Sequence, residues 1–182
     1  MITSDIQPDR GSLIASSPYF PLMCGLEFLP RPVRLSRESQ QDFGQFFQLA
    51  KVNNWQFDRQ RIQLFLQNPS HALIVTDIRQ SIQFVNRGFS RMTGYDSSEA
   101  LHRYPAFLQG SNTDTTTKSA IRASLAADQP FTGDILNYRK NGEPYWCRVA
   151  IEPITNQKSQ VVHYVAFERE VKQPAKNFEF KL

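Results

Sequence analysis

Few residues in this chain have the side-chain chemistry of a catalytic or metal site, and their spacing matches no such site. The two cysteines, Cys24 and Cys147, are far apart, which excludes a disulfide scaffold and a multi-cysteine zinc site. The histidines, His71, His102 and His163, do not have metal-ligand spacing. No serine lies in a nucleophile turn, and no glycine-rich phosphate loop occurs. The sequence therefore predicts no catalytic residues, no metal site and no enzyme activity.

Three glutamates near one predicted strand end come closest to a set of catalytic acids. These are Glu152, Glu168 and Glu170. A solvated, salt-bridged strand end explains Glu152 and Glu170 without catalysis. Glu168 is left as the acid whose surroundings need an explanation.

Composition predicts a folded domain with an appendage and excludes several classes of protein. The 182 residues are 40% hydrophobic and include 14 Phe, enough to bury a core. The net charge is only +4, and the 21 Lys and Arg form no run of five, so nucleic-acid binding is not predicted.

The least charged stretch, residues 11–25, does not have the features of a membrane segment. It is short, rich in serine, and interrupted by Pro18 and Pro21. It also lacks the basic start and the small-residue cleavage site of a signal peptide. The sequence thus predicts no membrane contact and a cytoplasmic protein with reduced thiols.

The N-terminal part of the chain divides into an irregular segment and a helical one. Prolines at 8, 18, 21, 30 and 32 predict irregular structure over residues 1–35. Two amphipathic helices are predicted within 36–69, one capped by Ser36 and one capped by Asp58 and ended by Pro69. Each has an apolar face that needs a partner.

From residue 70 the hydrophobic period changes to that of strands. A hairpin is predicted over 72–76 and 82–85, followed by short helices capped by Asn86, Asp96 and Asp114. A meander over 131–138, 143–151 and 160–167 follows, with a tight turn at Asn141-Gly142. This order predicts an α+β fold with helices on one face of a five-stranded antiparallel sheet. Residues 171–182 read as a short tail, and we expect no attached effector domain.

Residues 70–170 resemble a PAS domain of the light-oxygen-voltage (LOV) type. The stretches that carry the resemblance are VTDIRQSIQFVNRGFSRMTGY, FLQG with NTD shortly after, LNYRKNGEPYW and VVHYVAFERE, in that order. The resemblance implies a PAS fold with an N-terminal helical cap. It also implies a site between sheet and helices in which LOV domains hold flavin mononucleotide, and in which blue light bonds a Cys thiol to the flavin ring.

Compared residue by residue, the implied flavin site is only partly retained. Three residues match the family's contacts: Gln109 on the ribityl side, Arg122 at the phosphate and Asn137 at the polar edge of the ring. The family's motif Gly-x-Asn-Cys-Arg-Phe-Leu-Gln corresponds here to residues 102–109. The substituted positions are Tyr104 for an Asn, Pro105 for the reactive Cys, Ala106 for a phosphate-binding Arg, Cys147 for a ring-edge Asn and Glu168 for a Gln.

These substitutions argue against the family's photochemistry and against tight flavin binding. Pro105 has no nucleophile, so an adduct cannot form there. A lost Arg–phosphate contact costs about 1.5–3 kcal/mol. An ionised Glu168 has only acceptor atoms and would face a flavin carbonyl. A micromolar flavin site requires a binding free energy of ~8 kcal/mol. Because the substitutions remove a large part of this binding free energy, we expect no bound cofactor.

Two other functions remain open from the residues. The first is a Cys-less flavin sensor that signals through reduction of the ring, since Gln109, Arg122 and Asn137 are retained. The second is a PAS pocket that binds another small ligand. Haem, which some PAS domains bind through a His, is disfavoured because no histidine lies on the helix that starts at Asp114.

Strand alternation predicts an apolar outer face on the sheet. If Cys147 and Glu168 face the pocket, then Trp146, Val165 and Phe167 lie on the opposite face. The helical faces with Phe43, Phe46 and Phe47 would cover this sheet or that of a second copy. We expect a homodimer or a signalling protein as partner, and hence a PAS module that acts in signalling by protein–protein contact.

Overall fold

A computed structural model describes residues 34–172. The predictions for residues 1–33, including Cys24, and for the tail beyond residue 172 lie outside the described residues. The elements in order are α1 (Arg37–Val52), α2 (Arg59–Phe65), β1 (Ala72–Asp77), β2 (Ile82–Val85), α3 (Arg87–Thr93), α4 (Ser97–Ala100), a 3₁₀ helix (Pro105–Leu108), α5 (Thr115–Ala126), β3 (Phe131–Tyr138), β4 (Pro144–Thr155) and β5 (Val161–Val171).

The five strands form one antiparallel sheet in the order β2-β1-β5-β4-β3. The last strand of the sequence, β5, therefore lies at the centre and pairs with both β1 and β4. In this register Glu168 lies opposite Ala72 on one side and Val149 on the other. The predicted α+β fold with an N-terminal helical cap is confirmed.

Short-range capping determines where the helices begin. The side chain of Ser36 accepts a hydrogen bond from the Ser39 amide at 3.1 Å, and Asp58 accepts one from the Arg61 amide at 3.0 Å. The side chain of Asn86 makes three hydrogen bonds. It accepts from the backbone amides of Phe89 and Leu73, and it donates to the backbone carbonyl of His71, just before β1. It therefore caps α3 and ties that helix to the sheet.

Two features of the fold differ from the prediction. β4 and β5 extend to Thr155 and Val171 because the two strands pair along almost their whole length. A 3₁₀ helix, which the sequence analysis did not predict, occupies Pro105–Leu108, with the proline at the first helical position, where a missing N–H costs nothing.

The sheet has a hydrophobic cluster on each face. The inner cluster lies between the sheet and α3, α4 and α5, and includes Phe89, Leu108 and Ile135. The outer cluster lies between the sheet and α1 and α2. Among the described residues, no helix is long and apolar enough to cross a membrane.

Phe46 is the centre of the outer cluster, which is built largely of aromatic rings. Its side chain is fully buried and lies 5.0 Å from Phe57, 5.9 Å from Trp55 and 6.0 Å from Phe84, measured between ring centroids. Several of these contacts have the tilted or edge-to-face geometry that aromatic pairs favour.

The cap covers the sheet of its own chain. Val165 and Phe167 are buried beneath it, and Phe65 of α2 meets Phe167 edge-to-face at 5.0 Å. Phe43 and Phe46 are buried in the same cluster, with Phe47 packed at its edge. The sequence left open whether these five residues meet within one chain or between two copies; in this chain they pack against one another. Trp146 is the exception, since it is partly exposed and belongs to neither cluster.

Polar contacts also hold the cap in place. Trp55 donates from Nε1 to Nδ1 of His163 at 2.9 Å, so His163 faces the cap and not open solvent. Burial lowers the pKa of His163, which favours the neutral ring that accepts this bond. Arg61 forms an ion pair with Glu152 and also lies over the ring of Phe167.

Truncating Phe46 should test how much the cap contributes to stability. Because this ring is fully buried among other rings, we expect Phe46→Ala to lower the free energy of unfolding by about 3–5 kcal/mol. Urea denaturation measures the change. Gln48→Ala, on the exposed side of the same helix, should change it by less than about 0.5 kcal/mol. A loss below 1 kcal/mol in Phe46→Ala would contradict a cap that is packed as described.

Candidate ligand cavity

A cavity of about 130 Å³ lies between the inner face of the sheet, α5 and the 3₁₀ helix. Most of its wall is aliphatic. The apolar residues that line it are Ile74, Leu108, Ile121, Leu125, Ile135, Val149, Ile151 and Ala166. It is an apolar space with a small number of polar groups, as in many small-molecule sites.

Glu168 is the most unusual residue in the cavity wall. It projects from the central strand β5, and its side chain is buried. Its recorded hydrogen-bond partner is the thiol of Cys147, with Sγ 3.6 Å from Oε2. Burial raises the pKa of Glu168 to about 7, because an ionised carboxylate loses its hydration there.

Cys147 lies behind Glu168 and not on the cavity wall. It is fully buried, and burial together with the nearby carboxyl raises the pKa of its thiol well above the usual value. The neutral thiol donates to Glu168 and also lies 3.8 Å from the carbonyl oxygen of Arg148. A buried thiol with a raised pKa is an unreactive one.

Asn137 is the second buried polar group in the wall. It lies on β3, lines the cavity and is buried. Its cross-strand neighbour is Tyr145, whose hydroxyl is buried without a hydrogen-bond partner. Burial raises the pKa of Tyr145, and the nearby amide of Asn137 lowers it by a smaller amount. The two side chains do not have the geometry of a full hydrogen bond. The amide of Asn137 is thus available to a guest.

The rim of the cavity is cationic. Lys118 and Arg122 are four residues apart on α5, on the same face as Ile121 and Leu125. Arg122 is exposed and forms no ion pair or hydrogen bond with any described residue. Gln109, just after the 3₁₀ helix, completes this part of the rim.

The structure brings six of the eight predicted site residues together. Those that line the cavity are Pro105, Ala106, Gln109, Arg122, Asn137 and Glu168. Cys147 is set behind the wall. Tyr104, although at a substituted contact position, lies outside with 61% of its surface exposed. It precedes the 3₁₀ helix in extended backbone, which directs it away from the cavity.

Sequence reasoning missed several lining residues. Thr76, Gln80, Lys118 and Tyr164 also line the cavity. Lys118 could have been found from its spacing to Arg122, and Tyr164 from its alternation with Glu168 along β5. Gln80 reaches the wall from a turn position with φ of 65°, which no local pattern indicates.

Comparison with known proteins identifies the fold family. The PAS domain family model matches residues 70–173. The chain belongs to the PAS domain family. Its helical cap precedes the matched region, and no group of metal-ligating side chains occurs within residues 34–172.

Relatives of this PAS domain include blue-light receptors. A blue-light-activated histidine kinase of Brucella ovis is 39% identical over 90 residues, which is 50% of this chain and 18% of the kinase. The chain therefore spans less than a fifth of the length of that curated relative. Among solved structures, the LOV domain of the Erythrobacter litoralis EL346 blue-light-activated histidine kinase is 30% identical with a TM-score of 0.53, covering 56% of this chain and 96% of that one.

An RNA-binding light-oxygen-voltage receptor is similar as well. It is 33% identical with a TM-score of 0.54, over 56% of this chain and 30% of the receptor. Residues 70–173 are thus a PAS domain with LOV-type relatives, a domain class of signal transduction.

The buried carboxyl of Glu168 should make stability depend on pH. Because its folded pKa is raised from 4.5 to about 7, the folded protein holds the proton more tightly, and its stability falls as pH rises through this window. This difference corresponds to about 3 kcal/mol. We expect Glu168→Gln to match the parent near pH 4.5 and to be more stable by up to about 3 kcal/mol at pH 8.

Urea denaturation of both proteins at pH 4.5, 6 and 8 measures this difference. Gln48→Ala, at an exposed and uncharged position of α1, serves as the control and should differ from the parent by the same small amount at all three pH values. A constant difference between Glu168→Gln and the parent at all three pH values would contradict the buried-acid assignment.

Proposed function

We propose that this chain is a degenerate LOV-type PAS sensory module of the cytoplasm, which signals by protein–protein contact without cysteinyl-flavin photochemistry and without catalysis. Residues 36–69 are its cap and residues 70–170 its PAS domain. The observation that carries the proposal is the composition of the cavity wall, where Pro105 and Glu168 stand together.

Pro105 removes the adduct chemistry that the LOV resemblance implies. It lines the cavity and has no nucleophilic atom. Cys147 does not replace it, because this thiol is buried behind Glu168 and its raised pKa suppresses the thiolate that would attack.

Glu168 and the size of the cavity argue against a flavin guest. As a carboxylate, Glu168 would place acceptor against acceptor, and only its protonated form could donate to a flavin carbonyl while still accepting from Cys147. The cavity of about 130 Å³ is also small, since pockets for drug-sized ligands measure about 300–1,000 Å³. Together with Ala106 at an arginine position, these residues do not fit the cofactor.

A Cys-less flavin sensor is the second candidate. It is favoured by Gln109, Arg122 and Asn137, which are all in the cavity wall as the resemblance implies. Such a protein would bind flavin and respond through reduction of the ring. The absorption spectrum separates it from the first candidate.

The flavin test begins with purified full chain, before and after incubation with flavin mononucleotide and dialysis. We expect no absorption band in the blue in either case. Pro105→Cys should likewise show no bleaching under blue light. Flavin that resists dialysis would overturn the first candidate in favour of the second, and a bleaching photocycle in Pro105→Cys would then show that the flavin ring lies beside residue 105.

A reconstructed variant provides the positive control. It carries Tyr104→Asn, Pro105→Cys, Ala106→Arg, Cys147→Asn and Glu168→Gln, which restore the residues of the LOV pattern. We expect it to retain flavin under the conditions in which the parent does not.

The protein contact would use the part of the outer face that the cap leaves uncovered. Leu136, Trp146 and Val171 form a cross-strand row there, and each is partly exposed. The neighbouring row contains the ion pair of Arg148 with Asp134, at 2.7 Å. Because these two charges already pair with each other, the apolar row could be buried against the same row of a second copy without leaving a charge unpaired.

Size-exclusion chromatography with light scattering tests this dimer. We expect the parent to be dimeric at about 100 μM and Trp146→Glu to be monomeric, because a charge at the centre of an apolar contact is costly to desolvate. Val52→Glu, at an exposed apolar residue on the cap, should remain dimeric. A monomeric parent, or a dimeric Trp146→Glu, would overturn the assignment of this surface.

A further inference from the structure

The cavity has three chemical zones between its rim and its interior. Arg122 and Lys118 supply positive charge at the rim, and aliphatic side chains form the middle. In the interior, the carboxyl of Glu168 and the amide of Asn137 are both buried. A molecule that fits this arrangement needs a different chemical group in each zone.

The interior zone lacks hydrogen-bond donors for its acceptors. Glu168 has a thiol as its recorded partner, and a thiol is a weak donor. The amide of Asn137 lies beside the hydroxyl of Tyr145 but pairs with it poorly, since that hydroxyl is buried without a hydrogen-bond partner. Buried polar groups are normally paired, so two under-paired ones in one apolar wall indicate that a guest completes them. An N–H group suits both, since a carboxylate and an amide oxygen can each accept from it.

The rim, in contrast, has hydrogen-bond donors but lacks acceptors for them. Arg122 has five N–H donors and no acceptor among the described residues. Its guanidinium pairs best with a carboxylate or a phosphate, through two parallel hydrogen bonds. Lys118, one turn away, adds a second positive charge to the same zone.

The volume limits the size of the guest. A cavity of about 130 Å³ is close to the ~150 Å³ of an apolar cavity that holds benzene. The aliphatic walls therefore accommodate about one ring. A phosphate-bearing nucleotide or a three-ring system is too large for this space.

We propose that the cavity binds a small monocyclic organic acid, with its carboxylate at Arg122, its ring between the aliphatic walls and an N–H donor at Glu168 and Asn137. This inference rests on the proposed function, because it assigns the same cavity to a guest other than flavin. It makes the PAS domain a sensor of small amino-substituted aromatic acids.

Calorimetric titration of the full chain with matched probes tests the inference. The probes are 4-aminobenzoate and the longer 4-aminophenylacetate, with benzoate lacking the amine and aniline lacking the carboxylate. We expect 4-aminobenzoate or 4-aminophenylacetate, or both, to bind at least tenfold more tightly than benzoate and aniline do.

Two variants separate the two ends of the site. Arg122→Gln, at an exposed position, should weaken the amino acid probe at least tenfold and leave aniline unchanged. Glu168→Met replaces a buried acid by an apolar side chain of similar size. It should reduce the affinity for the amino-substituted acid to the affinity for benzoate. Arg37→Gln, on the exposed side of the cap, is the matched control and should have no effect.

Each result bears on a different claim. Absence of binding by both amino acid probes, or equal binding of benzoate and aniline, overturns this inference and leaves the proposed function intact. Unchanged affinity in Arg122→Gln also overturns it. Binding of flavin mononucleotide in the same calorimeter overturns the proposed function instead.

Discussion

The structure depends on one constraint: its last strand, β5, must be buried on both faces. It lies between β1 and β4, so the residues on its two faces alternate between two different environments. Tyr164, Ala166 and Glu168 line the cavity. Val165 and Phe167 enter the outer cluster. A shift of the pairing by one residue would exchange these two sets, which fixes the register of the sheet.

This constraint explains why a helical cap belongs to the domain. An antiparallel sheet with one solvated face would place polar residues at alternate positions, but the outer face of β5 carries Val165 and Phe167. Phe46 and Trp55 cover that face from the cap, and His163 accepts the one polar hydrogen that the indole brings with it. β5 therefore connects Glu168, on its cavity side, to the cap that packs on Val165 and Phe167.

The features that the sequence predicts are those set by local chemistry. The caps at Ser36, Asp58 and Asn86 and the alternation of β4 and β5 follow from neighbours in sequence, and the structure confirms them. Two features could not be predicted in this way, because they depend on residues far apart in the sequence. They are the outward orientation of Tyr104 and the hydrogen bond between Trp55 and His163. For the same reason, alternation could identify an outer apolar face but not which chain's helices cover it.

Six of the eight residues that the resemblance implies as flavin contacts line one cavity, although several have changed in chemistry. Retained and substituted residues share one wall, so their positions alone do not decide the ligand. The energetics of Glu168 are more informative. Ionising a buried acid beside a thiol costs stability at neutral pH, whereas an uncharged side chain of the same size has no charge to desolvate. Groups that destabilise a fold are typical of functional sites, where a ligand restores what the empty site lacks. A guest that donates a hydrogen bond to this carboxylate would remove the cost in stability. A cavity whose only role was packing would not explain why an acid is buried there.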